Sequence, residues 1–235
     1  MAAFKSHLYG AAATSGLAAL GVYSLGWTGA GLTQILFLVG IAGGLLPDID
    51  APRSTPVRGF FTLTGAALAF AMAFNYAGRL PLIGLGLIWL LVFLTVRYGI
   101  FTLFVRYTLH RGIWHSWLAA LAVSLAAAVL AHHAAGLGSW ESWLAGLFAL
   151  LGYLTHLILD EIASVDLQGR RLKRSLGSAL KPWSQEHPRA SLGMLLAVLA
   201  LGSAAPSLAP VLAVANHYGW DLAALQTLQA LRWPR

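Results

Sequence analysis

The stretch Gly152-Tyr153-Leu154-Thr155-His156-Leu157-Ile158-Leu159-Asp160 closes an apolar run that covers about residues 143–162. A run of this length is enough to cross a bilayer, which takes about 20 residues. His156 and Asp160 are four residues apart, so on a helix they share one face, one turn apart. An imidazole and a carboxylate in this relation can hold a divalent metal ion, provided that further ligands converge on them.

The composition predicts an integral membrane protein. Of the 235 residues, 58% are hydrophobic and only 10% are charged, whereas soluble domains carry about 25% charged residues. The apolar segments are continuous and do not alternate, which favours an all-α bundle over a barrel. The chain has no cysteine, so disulfides and thiolate ligands are excluded.

The apolar runs predict a polytopic membrane helical bundle of about six to seven transmembrane helices. We interpret the chain, 1–235, as a single integral membrane domain. Its predicted parts are a metal-site core at 5–165, a basic cytoplasmic loop at 163–190, and a C-terminal hydrophobic run with an interfacial tail at 191–235. Pro206 and Pro210 lie inside the last run, so we expect them to kink or split it. The runs cover about residues 8–27, 32–46, 60–77, 80–105, 117–135, 143–162 and 192–214.

The placement of positive charge predicts the orientation. The loop 163–190 is rich in Lys and Arg, and such loops stay on the cytoplasmic side. Counting back one crossing at a time puts the N-terminus, with Lys5, on the same side of a multi-pass protein, and the resemblance named below implies the inner (cytoplasmic) membrane. The formal charge of +7 then indicates anionic lipid headgroups as partners of the basic loop, with no nucleic acid expected.

This topology brings the candidate ligands to one membrane face. Because no thiolate is present, imidazole and carboxylate ligands suit a divalent metal, with zinc or manganese as the expected ions. The number of candidate ligands exceeds what one four-coordinate ion needs, so one or two ions are plausible, with a hydroxide bridging a pair. The residues at this face are His7, Asp48, Asp50, His110, His115, His156 and Asp160.

Arg53 and Arg111 adjoin the ligand motifs. A guanidinium there can bind a phosphate through two parallel hydrogen bonds or stabilise charge in a transition state. We group His110 with these two arginines as the candidate catalytic residues.

Three motifs in this order resemble the YdjM-like inner-membrane proteins over roughly residues 5–165. They are Leu46-Pro47-Asp48-Ile49-Asp50 with Arg53-Ser54, His110-Arg111-Gly112 with His115-Ser116, and Gly152-Tyr153 with His156 and Asp160. The resemblance implies a membrane-bound metal-dependent hydrolase. It also implies metal ligands at His7, Asp48, Asp50, His115, His156 and Asp160, with His110 and Arg111 close by.

The His/Asp pattern is also distantly similar to the zinc-dependent phospholipase C and nuclease superfamily, which favours phosphoester substrates. One departure is Trp114, which stands before the second histidine where the family is expected to have a small hydroxyl residue. The basic loop and the C-terminal run look specific to this chain.

Several functions remain open at this point. We expect a hydrolase of a phosphoester membrane lipid at the cytoplasmic face. An amide-lipid hydrolase of ceramidase type, assisted by Ser54 or Ser116, is the enzymatic alternative. A divalent-metal transporter is a third reading, since intramembrane Asp and His mark ion pathways. The far halves of several runs are almost wholly apolar and no inverted repeat is visible, which favours an enzyme. A regulatory or scaffold role that uses the basic loop is weaker.

Overall fold

The structure, a computed structural model, describes residues 4–50, 55–102, 113–166, 171–172, 181–184 and 186–219. Almost every described residue is helical, so the predicted all-α fold is confirmed. The helices are α1 (Phe4–Ser24), α2 (Ala30–Leu45), α3 (Thr55–Asn75), α4 (Leu82–Leu94), α5 (Trp117–His133), α6 (Ser139–Ser164), α7 (Pro188–Ala204) and α8 (Ala209–His217). A 3₁₀ turn (Leu46–Asp50) follows α2, and a π-helical segment (Thr95–Ile100) follows α4. Within the basic loop, strands β1 (Val165–Asp166) and β2 (Arg171–Leu172) pair antiparallel.

The chain forms two compact units. The first unit combines Met1–Pro47 with His115–Arg235, and the second is Asp48–Trp114. In the first unit α6 is the central helix, because α1, α2 and α5 all pack against it, while α7 packs on α5. In the second unit α3 packs against α4 and the π-helical segment.

Glycines let α2 and α6 approach at backbone distance. A Cβ atom added at Gly152 of α6 would overlap the carbonyl oxygen of Gly40 and lie 2.7 Å from the amide nitrogen of Gly44. A Cβ added at Gly43 would overlap the carbonyl oxygen of Ala149 in the same way. Since lipid tails are as apolar as leucine, close packing of small residues is what holds membrane helices together. This contact therefore fixes the relative position of α2 and α6.

An apolar cluster of the first unit lies further along α6, away from Asp160. Its buried members come from α1, α2 and α6 and include Val22, Leu36, Leu144 and Phe148. The indole N–H of Trp140 donates to the carbonyl of Trp27, 3.3 Å away, which ties the start of α6 to the α1–α2 turn. The cluster therefore joins α1, α2 and α6 through apolar contacts.

Three helical stretches among the described residues are long and apolar enough to cross a membrane. These are Ala30–Asp48, Leu82–Ile100 and Ser139–Ser164. A fourth crossing results if α7 and α8 form one broken span. The predicted number of six to seven spans therefore stays a prediction.

The prolines of the last apolar run end one helix and begin another. Helix α7 stops at Ala204, α8 starts at Ala209, and the two are bent by 82°. Pro206 falls in the break and Pro210 in the first turn of α8, where a missing amide hydrogen costs least. The carbonyl of Ala204 at the end of α7 accepts a hydrogen bond from His133 Nε2 at 2.9 Å.

Candidate metal centre

Three histidines surround the carboxylate of Asp160 in the first unit. The Nε2 atom of His7 lies 3.2 Å from Asp160 Oδ1. The Nε2 atoms of His115 and His156 lie 3.5 and 3.7 Å from Asp160 Oδ2. All four residues are at most 5% exposed. Burying four ionisable groups together is costly unless they neutralise one another or bind an ion.

Three parts of the fold bring these four side chains together. His156 and Asp160 lie one turn apart on the buried face of α6. His7 is on the first turn of α1, and its ring stacks on that of His156 with centroids 3.6 Å apart and planes 9° from parallel. His115 lies two residues before the start of α5, and its ring meets that of His156 edge-on at 5.7 Å.

A backbone carbonyl fixes the orientation of His156. Its Nδ1 lies 2.8 Å from the carbonyl oxygen of Gly44. A carbonyl can only accept, so Nδ1 carries a hydrogen; in the neutral ring Nε2, on the Asp160 side, then presents its lone pair. Metal-binding histidines are oriented in this way by a second partner. Gly44 can reach the ring because α2 and α6 touch through their glycines.

The start of α5 is built by two separate parts of the chain. Ser116 caps the helix, as its hydroxyl oxygen accepts the amide of Ala119 at 3.2 Å. The amides of the first two helical residues, Trp117 and Leu118, donate to the carbonyls of Lys181 and Pro182 at 3.0 and 3.1 Å. We call residues 181–184 the strap. The strap and the serine cap fix the first turn of α5, and with it the position of His115.

The donor atoms of this cluster fit a divalent cation. One ligand atom each from His7, His156 and Asp160 lie within 4.8 Å of one another. Neither ring nitrogen of His7 or His115 makes a hydrogen bond among the described residues, although all four atoms are buried. A buried nitrogen in that state is costly, and an ion would satisfy it. The cluster can therefore hold a metal ion, through neutral imidazole and carboxylate ligands.

The structure brings together four of the nine residues that the sequence predicted for the site, namely His7, His115, His156 and Asp160. Asp48 is half-buried in the 3₁₀ turn and belongs to the second unit. Asp50 ends the same turn, and its side chain lies outside the described part.

The three candidate catalytic residues, Arg53, His110 and Arg111, all lie outside the described residues. Their assignment, like that of Asp48 and Asp50 to the metal, stays a prediction.

The contributions that the sequence analysis missed come from the main chain. Gly44 and the strap act through carbonyl oxygens, which every residue type possesses, so residue type does not signal them. The pattern Gly40-x-x-Gly43-Gly44 is a partial signal, because small residues at this spacing mark close helix contacts.

The fold and this cluster together define a class of protein, namely helical membrane proteins with a buried histidine–carboxylate centre. A family model described as YdjM inner membrane protein matches residues 1–195. The chain belongs to this family, which confirms the resemblance seen in the sequence. The match also covers the basic loop at 163–190, so the expectation that this loop is specific to the chain was wrong. No curated protein and no solved structure matches the chain.

Proposed function

We propose that this protein is a metal-dependent hydrolase that acts on a phosphoester lipid at the cytoplasmic face of the inner membrane. The observation that carries the proposal is the buried cluster in which three imidazoles face one carboxylate at 3.2–3.7 Å. In this proposal Asp48 and Asp50 complete the ligand set for one or two ions of zinc or manganese. His110, Arg53 and Arg111 are the proposed catalytic residues that act on the substrate.

The chemistry follows from the ligand types. One ion with Asp160 as its single carboxylate, or two ions that share three carboxylates, would keep a net positive charge; such a centre would supply a Lewis acid for a phosphoryl oxygen and would lower the pKa of a bound water. Asp160 lies among the three imidazoles at 3.2–3.7 Å and would neutralise part of that charge. Gly44 holds the His156 ring so that Nε2 faces the site. Arg53 or Arg111 would bind the phosphate oxygens through a guanidinium fork.

The interior of the first unit favours an enzyme over a transporter. An ion pathway needs polar groups through the depth of the bilayer. Beyond the histidines, α6 instead packs into the apolar cluster of Leu36, Leu144 and Phe148. In the described part of the first unit this cluster separates the metal centre from the opposite end.

One observation bears on the amide-lipid alternative. Ser116, a candidate to assist such a reaction, caps α5 through its hydroxyl oxygen. The cap gives this serine a structural role, which accounts for its burial without a catalytic one.

The first test is the metal content of the purified protein. We expect elemental analysis to find zinc or manganese in the wild type, and much less in His156→Ala and Asp160→Asn. His217→Ala is the control, since His217 is exposed at the end of α8. Full metal content in both cluster variants would exclude the cluster as the metal centre.

The second test concerns the substrate. The loaded protein is assayed for phosphate release from vesicles that contain phosphatidic acid or a prenyl phosphate, beside a ceramide as the amide substrate. We expect turnover of the phosphoesters, abolished in Asp160→Asn. Cleavage of the amide substrate alone would overturn the phosphoester assignment and promote the ceramidase type.

A further inference from the structure

A second feature of the first unit lies at the end away from the metal centre. It is a cavity of about 650 Å³ enclosed by α5, α6, α8 and the α1–α2 turn. On α6 its wall includes Leu147, which is nine residues from His156. Nine residues are two and a half helical turns, so the cavity and the metal centre lie on opposite faces of α6. The cavity is therefore separate from the proposed active site.

Apart from the phenol of Tyr218, the described wall of the cavity offers no free polar side chain to a ligand. None of the described residues that line it is charged. Its indole N–H groups are already used, since Trp140 donates to Trp27 and Trp143 donates to the carbonyl of Ser207 at 3.0 Å. The hydroxyl of Ser124 donates to the carbonyl of Gly146 at 2.9 Å. A polar molecule would lose its hydration here without compensation, whereas a hydrocarbon chain would not.

The depth of the cavity matches one leaflet of a bilayer. Its lining on α6 runs from Trp140 to Leu150, ten residues that rise about 15 Å. This is half of a hydrocarbon core of about 30 Å. Trp27, Trp140 and Tyr218 stand at the outer end, with the two indoles edge-to-face at 5.3 Å. Aromatic residues of this kind mark the level of the headgroups.

The cavity is continuous with the lipid-facing surface. Leu25 and Leu147 line it and are also 56% and 54% exposed, so a lipid chain can enter from the side. We propose that the cavity binds one acyl chain of a phospholipid from the leaflet opposite the metal centre. The headgroup lies at the tryptophans and the chain runs inward along α6 and α8. The chain gains dispersion contacts with a preformed concave wall, which the flat surface of a helix does not supply.

Photocrosslinking tests this proposal with the full-length protein. The protein is reconstituted in vesicles of phosphatidylethanolamine and phosphatidylglycerol that contain a phosphatidylcholine with a diazirine in one acyl chain. After irradiation, labelled peptides are mapped by mass spectrometry. We expect strong labelling of α6 and α8. Leu147→Trp and Val214→Phe narrow the cavity from opposite walls, and each should remove most of this labelling.

Leu199→Trp is the matched control. Leu199 is 61% exposed on α7 and does not line the cavity, so its replacement should leave the labelling of α6 and α8 unchanged. Equal labelling of α7 and of the cavity helices, or wild-type labelling in both cavity variants, would overturn the proposal. Crosslinks between two copies of the chain at the cavity helices would also overturn it, because a second copy would then be the occupant. The readout needs no hydrolase activity, so it is independent of the proposed function.

Discussion

Replacing Gly152, which contacts α2, perturbs the candidate metal centre without changing any of the ligand residues. In Gly152→Ala the new Cβ would overlap the carbonyl oxygen of Gly40 and lie 2.7 Å from the amide nitrogen of Gly44. Favourable contacts of carbon lie at about 3.5–4.0 Å, so α2 and α6 must separate by at least about 1 Å. The opposing atoms are backbone and have no rotamer to change. Overpacking of this kind typically costs about 1–3 kcal/mol.

The same displacement acts on the metal centre. The hydrogen bond from His156 Nδ1 to Gly44 is 2.8 Å long, and a shift of about 1 Å would carry it beyond bonding range. Loss of such an orienting partner typically lowers metal affinity about 10- to 100-fold. We therefore expect Gly152→Ala to bind zinc about 10- to 100-fold more weakly in chelator competition, and to unfold at a lower temperature.

The control for this experiment is Gly193→Ala. Gly193 lies in α7, and a Cβ there would meet nothing within 4 Å. It should leave zinc affinity unchanged, and alanine is the better helix former. The reasoning would be refuted if Gly152→Ala retained the zinc affinity and the unfolding temperature of the wild type.

Three further predictions follow from the site and its topology. Ser116→Ala removes the cap of α5 and should lower the free energy of unfolding by about 0.5–2 kcal/mol, measured as a lower unfolding temperature. Zinc binding through His115 should also weaken. An unchanged unfolding temperature and zinc affinity would show that the strap alone holds this turn. Arg111→Lys should lose most phosphoester turnover with metal content unchanged, because lysine cannot form the guanidinium fork. Wild-type turnover in this variant would mean that Arg111 contributes only its positive charge, which sets the membrane orientation. A cysteine placed within 168–180 should react with an impermeant thiol reagent only when the cytoplasmic side is open, and one at Gly138 only from the other side; labelling of the 168–180 cysteine in intact cells would reverse the orientation.

The sequence predicts the side-chain part of the metal centre better than its supports. His156 and Asp160 follow directly from their spacing on an apolar helix. His7 follows only through the topology, because it is more than 140 residues away and gains meaning when both helix ends are placed at one membrane face. The carbonyl of Gly44 and those of the strap leave no trace in residue type. They are set by tertiary contacts that a one-dimensional pattern does not contain.

The fold, too, can be predicted from the sequence only in part. The all-α class follows from continuous apolar runs, and the break in the last run follows from Pro206 and Pro210. The 82° bend between α7 and α8 depends on packing against α5 and α6, which no local signal encodes. The closeness of α2 and α6 is visible only as a bias towards glycine at Gly40, Gly43, Gly44 and Gly152.

The distance along the chain between His7 and Asp160 has a consequence for biogenesis. The ribosome delivers α1 to the membrane long before α6 is made, so during most of synthesis the imidazole of His7 has neither Asp160 nor the His156 ring beside it. The centre can form only after α6 has inserted and docked on α2 through its glycines. Under the proposed function, metal uptake would therefore be a late step, possible only once α6 has been made, and a chain arrested before Asp160 would lack this centre.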